Sequence, residues 1–477
     1  VLQEEGLNPY LLEFVSIREH GAWVHADDPA GATRQAKEMV RVGAARARLL
    51  QPVHKERRPV KHQTVVLGGG IAGMTAALTL ADWGYDVYLV EREAQLGGHV
   101  RHIHFTAEGP DPQRFLKTLI RDVECHENIA VLKNSELVRF EGRVGDFRST
   151  VRTRHPDGTA TTRVLEHGVL IVATGAQEYR GPAYLFRQDP RVITQMDLER
   201  RIATAPEEIA ALDEVVMIQC VQPPDAPVEY CSRTCCTNTM KNAIRIKEIN
   251  PDCKITVLYK DLITYGFREE FYTEARRRGV LFVRYDENQR PTVQVVDGRL
   301  QVRTRDPILG HTLAWEPDLL ALSMASVPDE SNARLARLLG VPLSREGFFL
   351  EDHLKLRPVD FSIDGIFLCG SAHYPKFIEE AISHAKAAAG RAMTVLTKDE
   401  REVGGVVAVV DPAKCVGCLT CVRTCPFHIP RIQPDAVGVG GIRGAAYIEP
   451  ANCTGCGTCT SECPADAIQL TTFHDRQ

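Results

Sequence analysis

Residues 64–91 constrain the fold more than any other stretch. Thr64-Val65-Val66-Leu67 is an uncharged run of β-formers that leads straight into Gly68-Gly69-Gly70-Ile71-Ala72-Gly73. A helical pattern follows from Met74 to about Trp83. A second apolar strand, Asp86-Val87-Tyr88-Leu89-Val90, then ends at Glu91 and Arg92. Each glycine of Gly68-x-Gly70-x-x-Gly73 has its own task. Gly68 permits the tight turn, Gly70 lets backbone approach a pyrophosphate, and Gly73 lets helix pack on strand. The helix start offers free N–H groups and a partial positive charge to phosphates. Glu91 stands where an adenosine ribose would donate hydrogen bonds, and the next turn, Gly97-Gly98, again allows close backbone approach. A glycine-rich turn alone says little. With strand, helix, second strand and terminal acid in register, it reads as a dinucleotide site.

The second constraint is an internal repeat. Cys415-x2-Cys418-x2-Cys421-x3-Cys425-Pro426 recurs as Cys453-x2-Cys456-x2-Cys459-x3-Cys463-Pro464. This is the bacterial ferredoxin spacing for two 4Fe–4S clusters, in which the fourth cysteine of each run serves the other cluster. One cluster is expected on Cys415, Cys418, Cys421 and Cys463, the other on Cys453, Cys456, Cys459 and Cys425. Close spacing suits a cubane, because several irons each need a thiolate from one wrapping loop. Zinc and disulfide readings fit the pattern poorly. Of 15 cysteines, eight lie between Cys415 and Cys463, and only Cys125 precedes Cys220. In a chain of 477 residues this argues for cofactor ligation over disulfides, and for a reducing cytoplasm.

Around these features the chain divides into an expected mostly helical arm (1–62), a flavin-binding domain in two parts (63–183 and 328–400), a second dinucleotide-type domain (184–327) and a ferredoxin domain (404–477). The arm carries Ala36, Val40, Ala44, Ala47 and Leu50 at helical spacing, then Gln51-Pro52 and a basic linker from Lys55 to Lys61. It reads as docking against the next domain. His99, His102 and His104 follow Gly98 in a strand-like stretch. Alternation puts His99 opposite the other two, so surface or flavin-side histidines are expected instead of a metal site. Gly168 to Gly175 is a buried strand ending in Ala173-Thr174-Gly175, where flavoproteins with two dinucleotide domains close over the cofactor. Asp318 to Ser323 reads as the return strand into the flavin domain, and Gly365 to Ser371 as the last. A helix from about Ile378 to Leu396 follows, so that Gly370 and Ser371 lead helix N–H groups to the ribityl–pyrophosphate region.

The second domain is expected to open near Glu214 with Val215-Val216-Met217-Ile218-Gln219. The continuation, Cys220-Val221-Gln222-Pro223-Pro224, lacks Gly-x-Gly-x-x-Gly and places prolines where a phosphate loop needs N–H groups. A nicotinamide nucleotide therefore has no evident seat. Cys220, Cys231, Cys235 and Cys236 stand there instead, ahead of a helix expected over 238–249. Buried core cysteines, a vicinal Cys235-Cys236 redox disulfide and a zinc site are alternatives, although the spacing lacks the paired pattern of zinc ribbons. Four thiolates where the nucleotide loop is missing favour a non-standard iron–sulfur site.

Composition narrows the class. With 44% hydrophobic and 25% charged residues and a net charge of -5, nothing suggests nucleic-acid binding or a polybasic membrane patch. No apolar run reaches the roughly 18 residues of a membrane span. The chain starts at Val1 instead of Met, as expected of a fragment or processed form. No Gly-x-Ser-x-Gly, His-Glu-x-x-His or P-loop pattern offers competing chemistry. A flavin beside several clusters is a converter between two-electron and one-electron currents.

The chain resembles the A subunit of heterodisulfide reductase and its bacterial relatives over nearly all its length. The resemblance rests on Gly6-Leu7-Asn8-Pro9-Tyr10-Leu11, Ile17-Arg18-Glu19-His20 with Trp23-Val24-His25, the glycine fingerprint, Tyr230-Cys231-Ser232-Arg233 with Cys235-Cys236, Lys376 and the ferredoxin tail. It implies FAD in a thioredoxin-reductase-like fold, a third 4Fe–4S cluster at the central cysteines, and a homodimer within large multisubunit complexes. It also implies ferredoxin or other redox proteins as partners, and in several members electron bifurcation at the FAD. Lys376 is then either beside the isoalloxazine, stabilising the reduced anion, or an ordinary surface lysine. Three departures stand out. Gly21-Ala22 replaces a usual cysteine, so the amino-terminal cluster of longer relatives is expected to be missing or truncated away. Gln222-Pro223-Pro224 replaces a usual Gly-Ser-Arg, and the inserted second ferredoxin of archaeal forms is absent. Two other functions compete: an NAD(P)H-dependent flavin oxidoreductase resembling the glutamate synthase small subunit or a ferredoxin reductase, and a non-catalytic wiring and docking module.

Overall fold

The computed structural model describes residue 2 and residues 4–53, 55–223 and 229–471. The chain forms two compact units, residues 61–397 and residues 1–60 together with 398–477.

The larger unit is built on two five-stranded parallel sheets. The first runs Ile366–Leu368, Val169–Val172, Thr64–Leu67, Val87–Val90, Ile129–Leu132. Thr64–Leu67 is buried at every residue, as a parallel strand covered on both faces must be. From it the chain winds one way to Val87–Val90 and Ile129–Leu132, then returns on the other side with Val169–Val172. The carboxyl ends of Thr64–Leu67 and Val169–Val172 therefore flank the point where strand order reverses, the usual ligand crevice of such sheets. Helices Ile71–Asp82 and Ile378–Leu396 pack on each other, and both carry fully buried small residues, among them Ala76, Ala77, Ala385 and Ala388.

The second sheet runs Val192–Thr194, Leu319–Met324, Glu214–Val221, Lys254–Tyr259, Leu281–Arg284. Leu319–Met324 sits inside it, pairing with Val192–Thr194 and Glu214–Val221. The expectation that Asp318 to Ser323 returns into the flavin sheet is thus corrected. All six residues of this strand are buried, so it is as apolar as any flavin-sheet strand and nothing local tells the two apart. The antiparallel ribbon of Ala176–Glu178 with Ser326–Pro328 joins the two halves.

In the smaller unit Lys55–Pro59, expected to be a linker, is a strand paired antiparallel with Glu400–Gly404. Its five residues are all exposed, and cross-strand charge pairs at Lys55–Glu402 (3.5 Å) and Arg57–Glu400 (3.9 Å) accompany the ladder. This ladder ties the end of the amino-terminal segment to the strand that leads into the cysteine repeat. Around the repeat, Ala408–Val410 pairs with Ile468–Leu470 and Arg431–Val437 with Arg443–Tyr447. Short helices Thr420–Thr424 and Thr458–Ser461 start from left-handed residues, Leu419 at φ 66° and Gly457 at φ 80°. The sequence repeat is thus a structural repeat. Among the described residues no helix is long and apolar enough to cross a membrane.

Candidate functional site

One cavity in the larger unit runs from the glycine loop to the central cysteines. Its walls include Gly68, Gly70, Ile71, Ala72, Glu91, Arg92, Gly98, Ala173, Thr174, Gly175, Ser371, Lys376 and Cys235. Gly73, Gly97 and Gly370 lie outside that wall. A Cβ on Gly73 would stand 1.8 Å from the Gly68 carbonyl oxygen, so this residue exists for helix-on-strand packing. A Cβ on Gly370 would stand 2.6 Å from that of Ala72, and the Gly97 N–H donates to the Gly69 carbonyl at 2.8 Å. Gly70 is different. Nothing among the described residues lies within 4 Å of a Cβ placed there, so the space in front of it belongs to whatever the cavity holds.

The Glu91 carboxylate, 7% exposed, accepts the Gly69 N–H at 2.6 Å and the Glu93 N–H at 2.7 Å. It pins the loop, and each oxygen keeps a second lone pair for a ligand hydroxyl. Arg92 grips Asp329 with two parallel bonds of 2.9 and 2.6 Å. Burial opposes ionisation of Asp329, yet hydrogen bonds from Arg92, Ser331 and Gln177 hold its carboxyl below the ordinary range. Two cavity-lining side-chain atoms, Thr174 Oγ1 and Gln195 Nε2, are buried with no partner among the described residues. Unpaired buried polar atoms are costly, and a polar ligand such as a flavin nucleotide would satisfy them. With the open face of Gly70, they fit the cavity to FAD. Gln195 escapes sequence reasoning because it follows a strand of only three residues. Its one local sign is the Thr194–Asp197 capping box that starts its helix.

The histidine stretch is not extended. Gly98–His102 is a 3-10 turn, and the bend brings His99 and His102 together on the cavity. All three histidines line an adjoining chamber with Glu178, Arg180, Asp197 and Arg200. Burial pushes His99 down to about 4, so it is neutral near pH 7. Among the described residues no three histidine, cysteine or acidic side chains close on a single metal ion. Lys376 is half-buried on the cavity wall, its Nζ 3.4 Å from His373 Nδ1 and 2.9 Å from the Tyr374 ring centre. Burial pushes its amine down to about 7. His373 Nε2 in turn meets Glu351 Oε2 at 2.7 Å.

The central cysteines converge. Strand Glu214–Val221 is irregular between Ile218 and Val221, which leaves Cys220 at φ 58°. Helix Cys235–Ile249 begins three residues earlier than expected, so Cys235 and Cys236 occupy its first turn. Pro223 follows the strand without a glycine, and Pro224 lies outside the described residues. Burial, then Cys236 and Cys231, push the Cys220 thiol up to about 12. The Cys235 thiol donates to Cys236, which raises the first and lowers the second. Backbone N–H groups of Arg233 and Ile263 donate to Cys231 Sγ (3.2 Å) and Cys236 Sγ (3.5 Å). Cys220 and Cys235, which resist ionisation as isolated thiols, would lose that resistance with a metal centre among them. This donor set fits a thiolate-held cluster. It stands where a phosphate-binding helix start would be.

In the smaller unit a pocket is lined by Cys415, Cys418, Cys421 and Cys463. Burial raises Cys421, and Cys415, Cys418 and Cys463 add to the shift. Burial pushes Cys459 up to about 11, with Cys453, Cys425 and Cys456 adding. Each run's fourth cysteine therefore lies with the first three of the other. N–H groups of Ala446, Ala408 and Ala467 donate to Cys415 (3.4 Å), Cys453 (3.4 Å) and Cys463 (3.3 Å), contacts that tune the potential of thiolate-held clusters.

Comparison with known proteins agrees with this layout. Residues 62–194 match the pyridine nucleotide-disulphide oxidoreductase family, and residues 414–467 the 4Fe-4S dicluster domain. The chain is 32% identical to the A subunit of the H2:CoB-CoM heterodisulfide,ferredoxin reductase of Methanothermobacter marburgensis, across 92% of this chain and 80% of that protein. It is 33% identical to one of the iron-sulfur A subunits of CoB–CoM heterodisulfide reductase in Methanopyrus kandleri, across 89% of this chain and 78% of that one. The crystal structure of T. acidophilum thioredoxin reductase, 16% identical, aligns with a TM-score of 0.50 over 71% of this chain and 100% of its own, a likeness of fold. The chain is an oxidoreductase and belongs to the family of heterodisulfide reductase A subunits.

Proposed function

We propose that this chain binds FAD, two 4Fe–4S clusters on its C-terminal cysteine runs and a third on Cys220, Cys231, Cys235 and Cys236. In this reading it passes electrons between protein partners as the flavoprotein component of a heterodisulfide-reductase-like complex. One observation carries it: Cys235 lines the same cavity as the glycine loop. A ligand filling that cavity borders the thiol set directly, and the strand–helix crossover that would seat a nicotinamide nucleotide is occupied by thiols. When bound, a flavin accepts an electron pair and can release it singly, while each cluster carries one electron.

The chain's own residues do the rest. Gly70 leaves room for a pyrophosphate, and helix Ile71–Asp82 presents its first N–H groups to it. Glu91 holds the loop and offers its spare lone pairs to ribose hydroxyls. Thr174 and Gln195 present an unpaired hydroxyl and amide to the ligand's polar edge. Lys376, the proposed catalytic residue, titrates near neutrality. It holds a positive charge against a ligand that gains electrons, and His373 and Glu351 stand behind it to exchange the proton. The reading extends to electron bifurcation, with an electron pair divided between a high- and a low-potential acceptor. A homodimer, ferredoxin or a related redox protein as partner, and a reducing cytoplasm complete it.

Anaerobic mixing of the FAD-loaded chain with NADH or NADPH is expected to leave the flavin absorbance unchanged, whereas dithionite bleaches it. Rapid stoichiometric bleaching by either nucleotide would overturn the reading in favour of a self-sufficient NAD(P)H oxidoreductase. The third cluster has its own test. Cys235→Ser is expected to lower iron from about three cubanes per chain to about two; unchanged iron would reject that cluster alone.

A further inference from the structure

Ile378 lines the flavin cavity on one side and an open apolar groove on the other. The groove is walled by Phe115, Tyr265, Phe267, Phe271 and Ile382. Three of its aromatic residues are exposed, Phe267 at 91%, Phe115 at 44% and Tyr265 at 41%, while Phe271 is half-buried. Single exposed apolar residues are ordinary, but a contiguous aromatic patch rimmed by charge is the anatomy of a protein-docking surface. Two links tie the groove to the central thiols. The Ile263 N–H donates to Cys236 Sγ at 3.5 Å, and the same segment continues into Tyr265 and Phe267. The Tyr265 hydroxyl is bonded to the Arg233 guanidinium, and the Arg233 N–H donates to Cys231 Sγ at 3.2 Å. Around the apolar floor stand Glu108, Asp111, Glu270 and Glu379, with Arg268 the one cation among the described lining residues. Arg268 is already paired, to Glu108 at 3.3 Å and to Glu379. The rim is left negative.

We propose that this groove docks a one-electron carrier protein whose contact face sets an apolar side chain within a ring of lysines or arginines. The proposal rests on the electron-transfer function above and adds where an electron leaves. Phe267 is the anchor, since large aromatic side chains at the centre of an interface carry most of its affinity. The rim carboxylates steer a basic carrier into place, and their effect is screened by salt. Per encounter one electron leaves the chain and one enters the carrier; no bond or proton is exchanged.

The test uses the cofactor-loaded chain, reduced with dithionite and freed of excess reductant. It is mixed with cytochrome c, a lysine-ringed haem protein serving as the basic probe, or with ferricyanide, a small acceptor that needs no docking. Phe267→Asp and Glu270→Lys are each expected to slow cytochrome c reduction at least tenfold while ferricyanide reduction stays at the wild-type rate. The wild-type cytochrome c rate should also fall steeply with salt. Wild-type cytochrome c rates in both variants would overturn the groove. Equal losses toward both acceptors would overturn it too, because they mark damage to the cofactors. A wild-type chain that cannot reduce ferricyanide would instead overturn the electron-transfer function on which the proposal stands.

Discussion

Gly70→Ala is expected to fold as the wild type does and to bind FAD more weakly, whereas Gly73→Ala is expected to destabilise the fold. The two glycines sit three residues apart in one loop, yet the obstacles they face differ. At Gly70 the backbone has φ -76°, open to any residue, and no described residue lies within 4 Å of the new methyl. The apo chain should therefore unfold at the same temperature or slightly higher, since Gly→Ala at a compatible site stabilises by roughly 0.4–1 kcal/mol. The methyl projects into the cavity, where it displaces the pyrophosphate. Overpacking of about 1–3 kcal/mol corresponds to a loss of roughly five- to 150-fold in affinity. At Gly73 the added atom meets the Gly68 carbonyl oxygen at 1.8 Å, its carbon at 3.0 Å and the Ala173 Cβ at 3.3 Å. Two of these are backbone of the central loop and have no rotamer to escape into. A penalty beyond about 3 kcal/mol is expected, with thermal unfolding of the apo chain well below wild type. Flavin titration and apo melting temperature, read together, separate the variants. A Gly70→Ala chain that keeps wild-type FAD affinity would show that the ligand does not pass this point.

That contrast also shows which parts of the molecule its sequence announces. The glycine loop and the cysteine runs are legible because their constraints are local: a turn, a helix start, a thiolate every third residue. Lys55–Pro59 is not, because five charged or proline residues become a strand only by pairing with Glu400–Gly404, far along the chain. Leu319–Met324 is recognisable as a buried strand, but its sheet is not, since both sheets demand the same fully apolar run. The bend at Gly98–His102 depends on glycine backbone angles, with Gly97 at φ 109° and Gly98 at φ 51°. Side-chain alternation cannot report such a bend, which is why it assigns His99 to the wrong face. Gln195 and the aromatic groove lie further still from sequence. Gln195 reaches the cavity, and residues 106–115, 265–271 and 378–382 the groove, only through tertiary packing.

Removing Cys425 and Cys453 together is expected to cost no more iron than removing either alone, about four atoms per chain. Removing Cys425 and Cys415 together is expected to cost about twice that. The difference follows from how the two runs interleave. Around Cys421 the neighbouring thiols are Cys415, Cys418 and Cys463; around Cys459 they are Cys453, Cys425 and Cys456. Two ligands of one cluster are not independent, so their losses fail to add, whereas ligands of separate clusters add. Reading the chain as two self-contained runs predicts the reverse, with Cys425 and Cys415 sharing a cluster. Serine variants of the four pairs Cys425/Cys453, Cys425/Cys415, Cys463/Cys415 and Cys463/Cys453, assayed for iron and sulfide after anaerobic purification, decide between the two. The crossed arrangement has a mechanical consequence as well. Each helix, Thr420–Thr424 and Thr458–Ser461, carries its own run's third cysteine and leads into a fourth that neighbours the thiols of the other run. Losing either cluster therefore frees one end of both loops, and the surviving cluster in a Cys425→Ser chain should be released by chelator faster than in the wild type. Equal release rates would mean that each run is held by its own ligands alone.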